Sequence, residues 1–266
     1  MKKIILSLTS FALLFFTSSI QSNKSVLPFI KPWDDTEKPI ILDVYSKNDY
    51  TINQITKEKR IKGIIHKLSE EDSSIFYVRR KEAYKNDLLF GSYWLPKHNT
   101  DGKKQADEYL EMVGKDYIKK EFLALDFEMH KTTKEFISPY NTHLFVKRIY
   151  EKTGHYPHIY TSLSNLKKLE ESAYTETFKK CKLWFISLTK DGNCTASFQK
   201  NKNSKKNTKK IWTTYSLWQF GCEMNCCSDT TNEEKPCFYK VDDLECGIDY
   251  NIFNGTEEEL IKSWAS

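Results

Sequence analysis

Two carboxylates stand two residues apart at the end of an apolar run, Phe122-Leu-Ala-Leu-Asp-Phe-Glu-Met129. If this run is a strand, Asp126 and Glu128 point to the same side, so both face one cavity. Like-charge repulsion and burial then raise the proton affinity of each, so one group can stay protonated while the other is ionised. Glycoside hydrolysis needs that division. Taken alone, the pair also fits a metal site or a solvent-facing surface.

Three further acids follow apolar runs. Asp43 follows Pro39-Ile-Ile-Leu42, Asp249 follows Cys246-Gly-Ile248, and Glu70 follows Ile64-Ile-His-Lys-Leu68. In a (β/α) barrel the reacting groups sit where strands end and loops begin. These acids are therefore further candidates for the same site.

The elements that must position these acids are short apolar runs separated by polar amphipathic stretches. This pattern, from Pro39 to Asp249, predicts repeated β and α units and a parallel sheet. The predicted strands are Ile40–Val44, Gly63–Ile65, Leu88–Tyr93, Phe122–Phe127, His158–Thr161, Leu183–Leu188 and Ser216–Phe220. The clearest predicted helices are Lys103–Val113, Asn141–Thr153 with Gly154 as its cap, and Ser164–Glu171. Seven or eight strands with crossover helices favour a barrel over an open sheet.

Composition predicts one folded domain. The chain is 39% hydrophobic and 14% aromatic, which is too apolar for a disordered protein. The formal net charge of +5 is too small, and the charges too scattered, to indicate a nucleic-acid partner.

The N-terminus has the pattern of a secretory signal. Lys2 and Lys3 precede an apolar run from Ile4 to Phe16, and small and polar residues follow up to Ser22. The run is shorter than the about 20 residues that a membrane span needs. We therefore expect a signal peptide at 1–22, a catalytic domain at 23–266, and a secreted protein with no membrane contact after cleavage. The periplasm, a lysosome-like compartment or an uncleaved anchor are the alternatives.

All seven cysteines lie in the last third of the chain. After export, disulfides are expected, and the odd count leaves one thiol free or paired between chains. Zinc at Cys222, Cys226 and Cys237 is the alternative. The segment Cys222 to Cys246 is predicted to rely on disulfides, and the run Lys200 to Lys210 to be a solvated loop.

Eight sequence pieces, taken in order, resemble the family 25 glycoside hydrolases, the lysozymes typified by fungal, streptomycete and phage muramidases. The pieces are Ile41-Leu-Asp-Val-Tyr-Ser46, Ile64-Ile-His-Lys-Leu-Ser-Glu70, Phe90-Gly-Ser-Tyr93, Leu123-Ala-Leu-Asp-Phe-Glu128, His158-Ile-Tyr-Thr161, Leu183-Trp-Phe-Ile186, Leu217-Trp-Gln-Phe220 and Gly247-Ile-Asp-Tyr-Asn-Ile-Phe-Asn-Gly255. The resemblance covers nearly all of the chain after residue 22.

The resemblance implies an irregular (β/α) barrel of the α/β class and a muramidase. Such an enzyme hydrolyses the β-1,4 bond between N-acetylmuramic acid and N-acetylglucosamine in peptidoglycan. Glu128 is then the general acid and Asp126 the stabilising carboxylate, while Asp43 and Asp249 complete an acidic floor. A substrate-assisted and a covalent route both stay open. We expect a monomer that acts on peptidoglycan strands without a cofactor or a metal.

The expected substrate contacts lie beside these strand ends. They are Tyr45, Glu70, Tyr93, Trp94, Tyr160, Trp184, Trp218 and Gln219. For each aromatic residue, core packing is the alternative.

Two departures from the family pattern concern the cleft wall. Tyr45 precedes Ser46 where an Asp-x-Ser pattern is common, and Tyr93-Trp94 stands where an aromatic-His pair is common. A chitinase of family 18 is disfavoured, because Ala124 and Glu121 stand where that family's acidic run has aspartates. The alternative from another class is a non-catalytic glycan-binding or envelope-interaction protein derived from the same fold.

Overall fold

The computed structural model describes residues 34–71, 73–188, 211–227, 237 and 239–266. Within these ranges eight strands form a closed barrel in sequence order. The strands are β1 (Ile40–Val44), β2 (Ile61–Lys67), β3 (Leu89–Trp94), β4 (Phe122–Asp126), β5 (His158–Ser162), β6 (Leu183–Ile186), β7 (Leu217–Gly221) and β8 (Asp249–Phe253). The described helices are α1 (Ile52–Lys57), α2 (Ser73–Lys85), α3 (Gly102–Val113), α4 (Pro139–Thr153), α5 (Leu163–Glu170), α6 (Thr175–Phe178), α7 (Glu223–Cys226) and α8 (Glu257–Ser263).

The last strand departs from the predicted all-parallel sheet. Strands β1 to β7 pair in parallel, whereas β8 is antiparallel to both β7 and β1. The reason is the connection. The chain leaves the carboxyl end of β7 into α7, and the described residues between α7 and β8 include no crossover helix, so β8 runs back down the barrel. Asp249, the first residue of β8, is thereby placed at the same end of the barrel as the last residues of β1 and β4.

The predicted strands and helices are present, with small changes at their ends. β1 has the predicted bounds, and the predicted Gly63–Ile65 is the centre of the longer β2. Helix α4 begins two residues early because Pro139 suits the first turn and the Ser138 hydroxyl accepts the Asn141 N–H at 3.1 Å. It ends at Gly154, whose φ of 83° is the left-handed cap conformation.

Alternation along the strands divides the apolar residues into two cores. The larger core lies between the barrel and the helices. The smaller one fills the barrel itself, and its buried members on the strands are Ile41, Ile65, Phe122, Ala124, Tyr160, Trp184, Leu217 and Phe253. Leu260 of α8 and Trp264 just beyond it complete this core. Gly91 is needed here, because a Cβ at this position would meet the Cβ of Phe122 at 2.6 Å.

The two ends of the barrel differ. Helix α8 closes the end where the parallel strands begin: the Trp264 ring lies 5.0 Å from the Phe122 ring, and its indole N–H donates to the Phe90 carbonyl at 2.8 Å. The opposite end, where the parallel strands finish, carries the acidic residues. Among the helices in the described ranges, none has the length and apolar character needed to cross a bilayer.

Two disulfides hold the C-terminal cysteine-rich segment, as predicted. They join Cys226 to Cys237 and Cys227 to Cys246. The zinc alternative is therefore wrong, because two of its three proposed ligands are bonded to each other. Cys181 and Cys222 are buried free thiols, which is more than the single leftover thiol expected. Cys194, the proposed signal peptide and the run Lys200 to Lys210 lie outside the described residues.

Candidate active site

Four carboxylates meet at the open end of the barrel. Asp43 lies near the end of β1, Asp126 ends β4, Glu128 follows it by two residues, and Asp249 begins β8. Asp43 and Asp249 stand opposite each other in the β1–β8 ladder. Burial raises the pKa of Asp43 well above its ordinary value, and the charges of the other three acids raise it further. The four side chains therefore form one interacting group.

Asp126 is a buried acid with an unpaired oxygen. It is 7% exposed, and among the described residues its Oδ1 has no hydrogen-bond partner. Burial and then the Glu128 charge raise the pKa of Asp126, while Lys67 and Lys131 act in the opposite direction. An unpaired buried carboxylate oxygen costs free energy and is a group that a bound ligand can satisfy.

Glu128 lies closer to solvent than Asp126. Its side chain is half-buried, and burial raises its pKa, against an opposing effect of Lys131. Glu128 lies just beyond β4, and its charge raises the pKa of Asp126, so the two carboxylates are neighbours at the open end. The pair therefore combines a carboxyl that favours its proton with access to the cleft.

Asp249 has a defined set of partners. The side-chain amide of Gln219 donates to Asp249 Oδ2 at 2.6 Å, and the backbone of Glu223 also bonds to this carboxylate. Burial nevertheless raises the pKa of Asp249 to about 7, and the charges of Glu223 and Glu128 add to the rise. The Oε1 of Gln219 is buried and has no hydrogen-bond partner in the part of the chain that the structure describes.

Aromatic residues form the floor beneath the acids. The Tyr160 ring lies 4.6 Å from the Trp184 ring, and the Tyr93 ring lies 6.0 Å from the same indole. Burial and the charges of all four carboxylates raise the pKa of Tyr160 well above its ordinary value. Trp184 is 1% exposed, and its indole N–H donates to Asn251 Oδ1 at 2.6 Å.

Comparison with known families decides the classification. The family model described as glycosyl hydrolases family 25 matches residues 42–228, well over half of the chain. The chain belongs to this family. It is therefore a glycoside hydrolase. No curated protein sequence matches the chain.

Solved structures share the fold. A family GH25 lysozyme from Aspergillus fumigatus superposes with a TM-score of 0.60 at 18% identity, covering 86% of this chain and 100% of that one. The muramidase from Trichobolus zukalii gives 0.60 at 17% identity, with coverages of 85% and 99%. The lysozyme from Streptomyces coelicolor gives 0.62 at 16% identity, with coverages of 87% and 99%.

Two of the predicted substrate contacts of this family 25 hydrolase lie away from the acids. Trp94 and Trp218 are 7% and 2% exposed, and both belong to the core between barrel and helices. The Trp218 ring stacks on Phe185 at 5.5 Å, and the Trp94 ring lies 5.7 Å from Tyr109. The physical reason is alternation: their neighbours Gln219 and Tyr93 face the barrel interior, so these two rings face outward.

Tyr45 and Glu70 lie on loops at the open end. Tyr45 follows β1 directly with 39% of its surface exposed, and Glu70 is exposed in the loop after β2. Glu70 is not among the charges that raise the pKa of any of the four acids. The structure thus brings Tyr93, Tyr160, Trp184 and Gln219 to the acids, and leaves Tyr45 at the rim.

Three charged residues at the site are not among those predicted from the sequence. Lys67 ends β2 on the inner face, Lys131 follows Glu128 by three residues, and Glu223 begins α7 beside Asp249. The position of Lys67 could have been predicted, since it lies two residues beyond Ile65 and so on the same strand face. The position of Glu223 could not, because no pattern predicts how a cysteine-rich segment folds back. Among the described residues no group of three or more acids, cysteines or histidines is arranged to hold a metal ion.

Proposed function

We propose that this family 25 hydrolase is a secreted muramidase. It cleaves the β-1,4 bond between N-acetylmuramic acid and N-acetylglucosamine in peptidoglycan strands. The observation that carries the proposal is the group of four carboxylates at the open end of the barrel, with Asp126 buried and one of its oxygens unpaired. The names of the similar structures, lysozyme and muramidase, support the substrate class.

Glu128 is the proposed general acid. A general acid must keep its proton near the working pH and must reach the leaving oxygen. Burial raises the pKa of Glu128, and its side chain is more accessible than that of Asp126. In the first step the Glu128 proton goes to the glycosidic oxygen as the bond to the sugar carbon breaks.

Asp126 is the proposed stabilising carboxylate. Lys67 and Lys131 favour its ionised form, against the effects of burial and of Glu128. Its unpaired Oδ1 is suited to accept the N–H of the substrate's 2-acetamido group, which holds the acetamido oxygen against the sugar carbon. That oxygen then forms the new bond as the leaving group departs. Water opens the resulting ring, with the ionised Glu128 taking the proton.

The other acids and the aromatic floor hold the substrate. Asp43 and Asp249 complete the negative field around the developing positive charge, and Gln219 offers its free Oε1 to a sugar hydroxyl. Tyr45 at the rim offers an exposed ring on which a sugar can stack. In the proposal, residues 1–22 direct export, and residues 23–266 act as a monomer outside the cell without a cofactor.

Product analysis tests this function. Purified peptidoglycan is digested with the wild type and with Glu128→Gln, the products are reduced with borohydride, and the reduced sugar is identified by mass spectrometry. We expect reduced N-acetylmuramic acid from the wild type and no products from the variant. Reduced N-acetylglucosamine would overturn the bond assignment. No products from either protein, with glycan binding intact in both, would favour the glycan-binding alternative.

A further inference from the structure

The loop that follows β1 is fastened to the segment that leads into β8 by one buried side chain. Asn48 is 4% exposed. Its Oδ1 accepts the Tyr45 N–H at 2.8 Å, which closes the loop. Its Nδ2 donates to Glu245 Oε1 at 2.9 Å and to the Gly247 carbonyl at 2.9 Å, across almost 200 residues of sequence. Every polar atom of the amide is thus used.

The same loop is held from its other side by α2. The guanidinium of Arg79 donates to the Tyr45 carbonyl at 2.7 Å and to the Asn48 carbonyl. It also lies 3.1 Å from Nε2 of His66, which is on β2, and 4.4 Å from the centre of the Tyr50 ring. Arg79 is buried, with 7% exposed, and its guanidinium holds the backbone of this loop. The Asn48 amide therefore has a rigid base.

The two ends of the link made by Asn48 lie next to two of the four acids. Asp43 lies two residues before Tyr45, and Asp249 lies two residues after Gly247. These two acids are opposite each other in the antiparallel ladder, at the end where β1 stops and β8 starts. Like charges directly opposite on neighbouring strands destabilise the pair. No turn joins the strands here, so the Asn48 bonds supply the closure that a hairpin turn would give.

The segment before Asp249 has a second anchor. Cys246, between the two residues that Asn48 contacts, is bonded to Cys227 next to α7. A disulfide thus ties this segment to the residue after α7, and the hydrogen bonds of Asn48 tie it to the loop after β1. The start of β8 is held between these neighbours.

We propose that Asn48 is a positioning residue of the active site, which sets the separation of Asp43 and Asp249 by joining the loop after β1 to the segment before β8. This inference rests on the proposed function for its activity readout. It assigns no contact between Asn48 and the substrate. Its effect on hydrolysis passes through the two acids, so the Asn48 bonds should govern turnover more than substrate binding.

A reversed hydrogen bond tests the proposal. Asn48→Asp keeps the acceptor for the Tyr45 N–H but sets a carboxylate against Glu245 and the Gly247 carbonyl. Glu245→Gln keeps an acceptor for Asn48 and should behave as the wild type. In Asn48→Asp/Glu245→Gln the new amide can donate to the new carboxylate, which restores the link with its direction reversed. We expect kcat of Asn48→Asp to fall about tenfold or more with KM changed less than about twofold, and the double variant to recover most of the loss.

A readout without hydrolysis separates this inference from the proposed function. The side-chain amide of Gln219 donates to Asp249 at 2.6 Å, so its NMR resonance and its hydrogen exchange report where Asp249 lies. We expect a shifted resonance and faster exchange in Asn48→Asp, and a return toward the wild type in the double variant. This expectation holds even if the wild type cleaves no peptidoglycan.

A control variant removes a hydrogen bond near the other end of the barrel. Tyr84 lies on α2, and Tyr84→Phe deletes the hydrogen bond from its hydroxyl to Glu121 Oε1 near the closed end of the barrel. It should lower stability without changing kcat or the Gln219 resonance. An Asn48→Asp variant that loses stability but keeps both kcat and the Gln219 resonance would overturn the proposal. So would a double variant that recovers neither.

Discussion

Strand β4 has a buried acid at each end, and the two acids are treated in opposite ways. Glu121 directly precedes the strand and is 1% exposed, whereas Asp126 ends it and is 7% exposed. Glu121 Oε1 receives the Tyr84 hydroxyl at 2.7 Å, and the Arg80 guanidinium lies 3.6 Å from Oε2. Asp126 instead faces other carboxylates. Each acid has one oxygen without a hydrogen-bond partner among the described residues, so the two differ in the charges around them.

The difference separates a stabilising end of the barrel from a reactive one. Burial raises the pKa of Glu121 to about 7, but Tyr84 and Arg80 oppose this rise. At Asp126 the charge of Glu128 adds to the effect of burial, while Lys67 and Lys131 oppose it. At the closed end a hydroxyl donor and a cation stabilise the acid, whereas at the open end neighbouring carboxylates repel one another. This matches the usual division of labour in barrels of this architecture.

The largest expected effect is at the reactive end. Asp126→Asn removes the charge that is proposed to stabilise the transition state, and we expect peptidoglycan hydrolysis to fall about 10³-fold. The free energy of unfolding should stay the same or increase, because a buried repulsive charge is gone. Initial rates and urea unfolding on the same preparation measure both. A variant with near-normal rates would remove Asp126 from the mechanism.

The second effect is at the stabilising end. Arg80→Ala leaves the Glu121 carboxylate buried without its cation, so the free energy of unfolding should fall by about 3 kcal/mol. The Arg80 guanidinium also stacks 3.8 Å from the Tyr117 ring centre, and this packing is lost too. Hydrolysis per folded molecule should not change. Arg148→Ala, which breaks a more exposed pair with Asp107, is the control and should cost about 1 kcal/mol or less. Equal losses in the two variants would contradict the comparison.

Asp249→Asn tests the cost of the repulsion as a function of pH. The pKa of Asp249 is about 7 in the folded protein, above the ordinary value of about 3.9 in an unfolded chain. A carboxyl whose pKa is raised in the folded state stabilises the folded protein when it is protonated. This stabilisation is complete below the unfolded pKa and is lost as the pH rises through the folded pKa. The variant should therefore gain little over the wild type at pH 4 and about 1 to 3 kcal/mol at pH 8.

Thermal unfolding of both proteins across this pH range measures the gain. Asp116→Asn replaces an exposed acid and should show no gain that grows with pH. If Asp249→Asn also gave a gain that is constant from pH 4 to pH 8, the assigned repulsion at the open end would be wrong.

The smallest effect distinguishes rim from core. Tyr45→Ala removes an exposed ring at the open end, so KM should rise about threefold with stability nearly unchanged. Trp218→Phe should instead lower the free energy of unfolding by about 1 to 2 kcal/mol, because its indole N–H donates to the Ser187 carbonyl at 2.9 Å. Its KM should not change. A KM effect of Trp218→Phe larger than that of Tyr45→Ala would reverse the assignment of these two residues.

Strand alternation explains which site residues were predictable. The spacing of Asp126 and Glu128 alone places them on one face, and the structure gives both a shared environment. The same rule, applied to Tyr93-Trp94 and to Trp218-Gln219, allows only one residue of each pair to face the interior. The sequence-based expectation named both members of each pair as substrate contacts. The structure places the two tryptophans in the core between barrel and helices.

The direction of β8 was beyond local patterns. Its residues Asp249–Phe253 are apolar enough to be a strand, but nothing in them states whether the strand runs up or down. The direction depends on the cysteine-rich connection, whose described residues are held by two disulfides and by Asn48. Such long-range pairings are set by the whole fold. Glu223 is brought to Asp249 by the same connection, which is why its role could not be foreseen.

Paired isosteric substitutions of Glu128 and Glu121 test the central claim most directly. Each replaces a buried or half-buried glutamate by glutamine, one just beyond β4 at the open end and one just before it at the closed end. With folding verified by circular dichroism, peptidoglycan hydrolysis should fall about 10³-fold or more in Glu128→Gln and stay within about twofold of the wild type in Glu121→Gln. Comparable rates in the two variants would contradict the assignment of the chemistry to the open end.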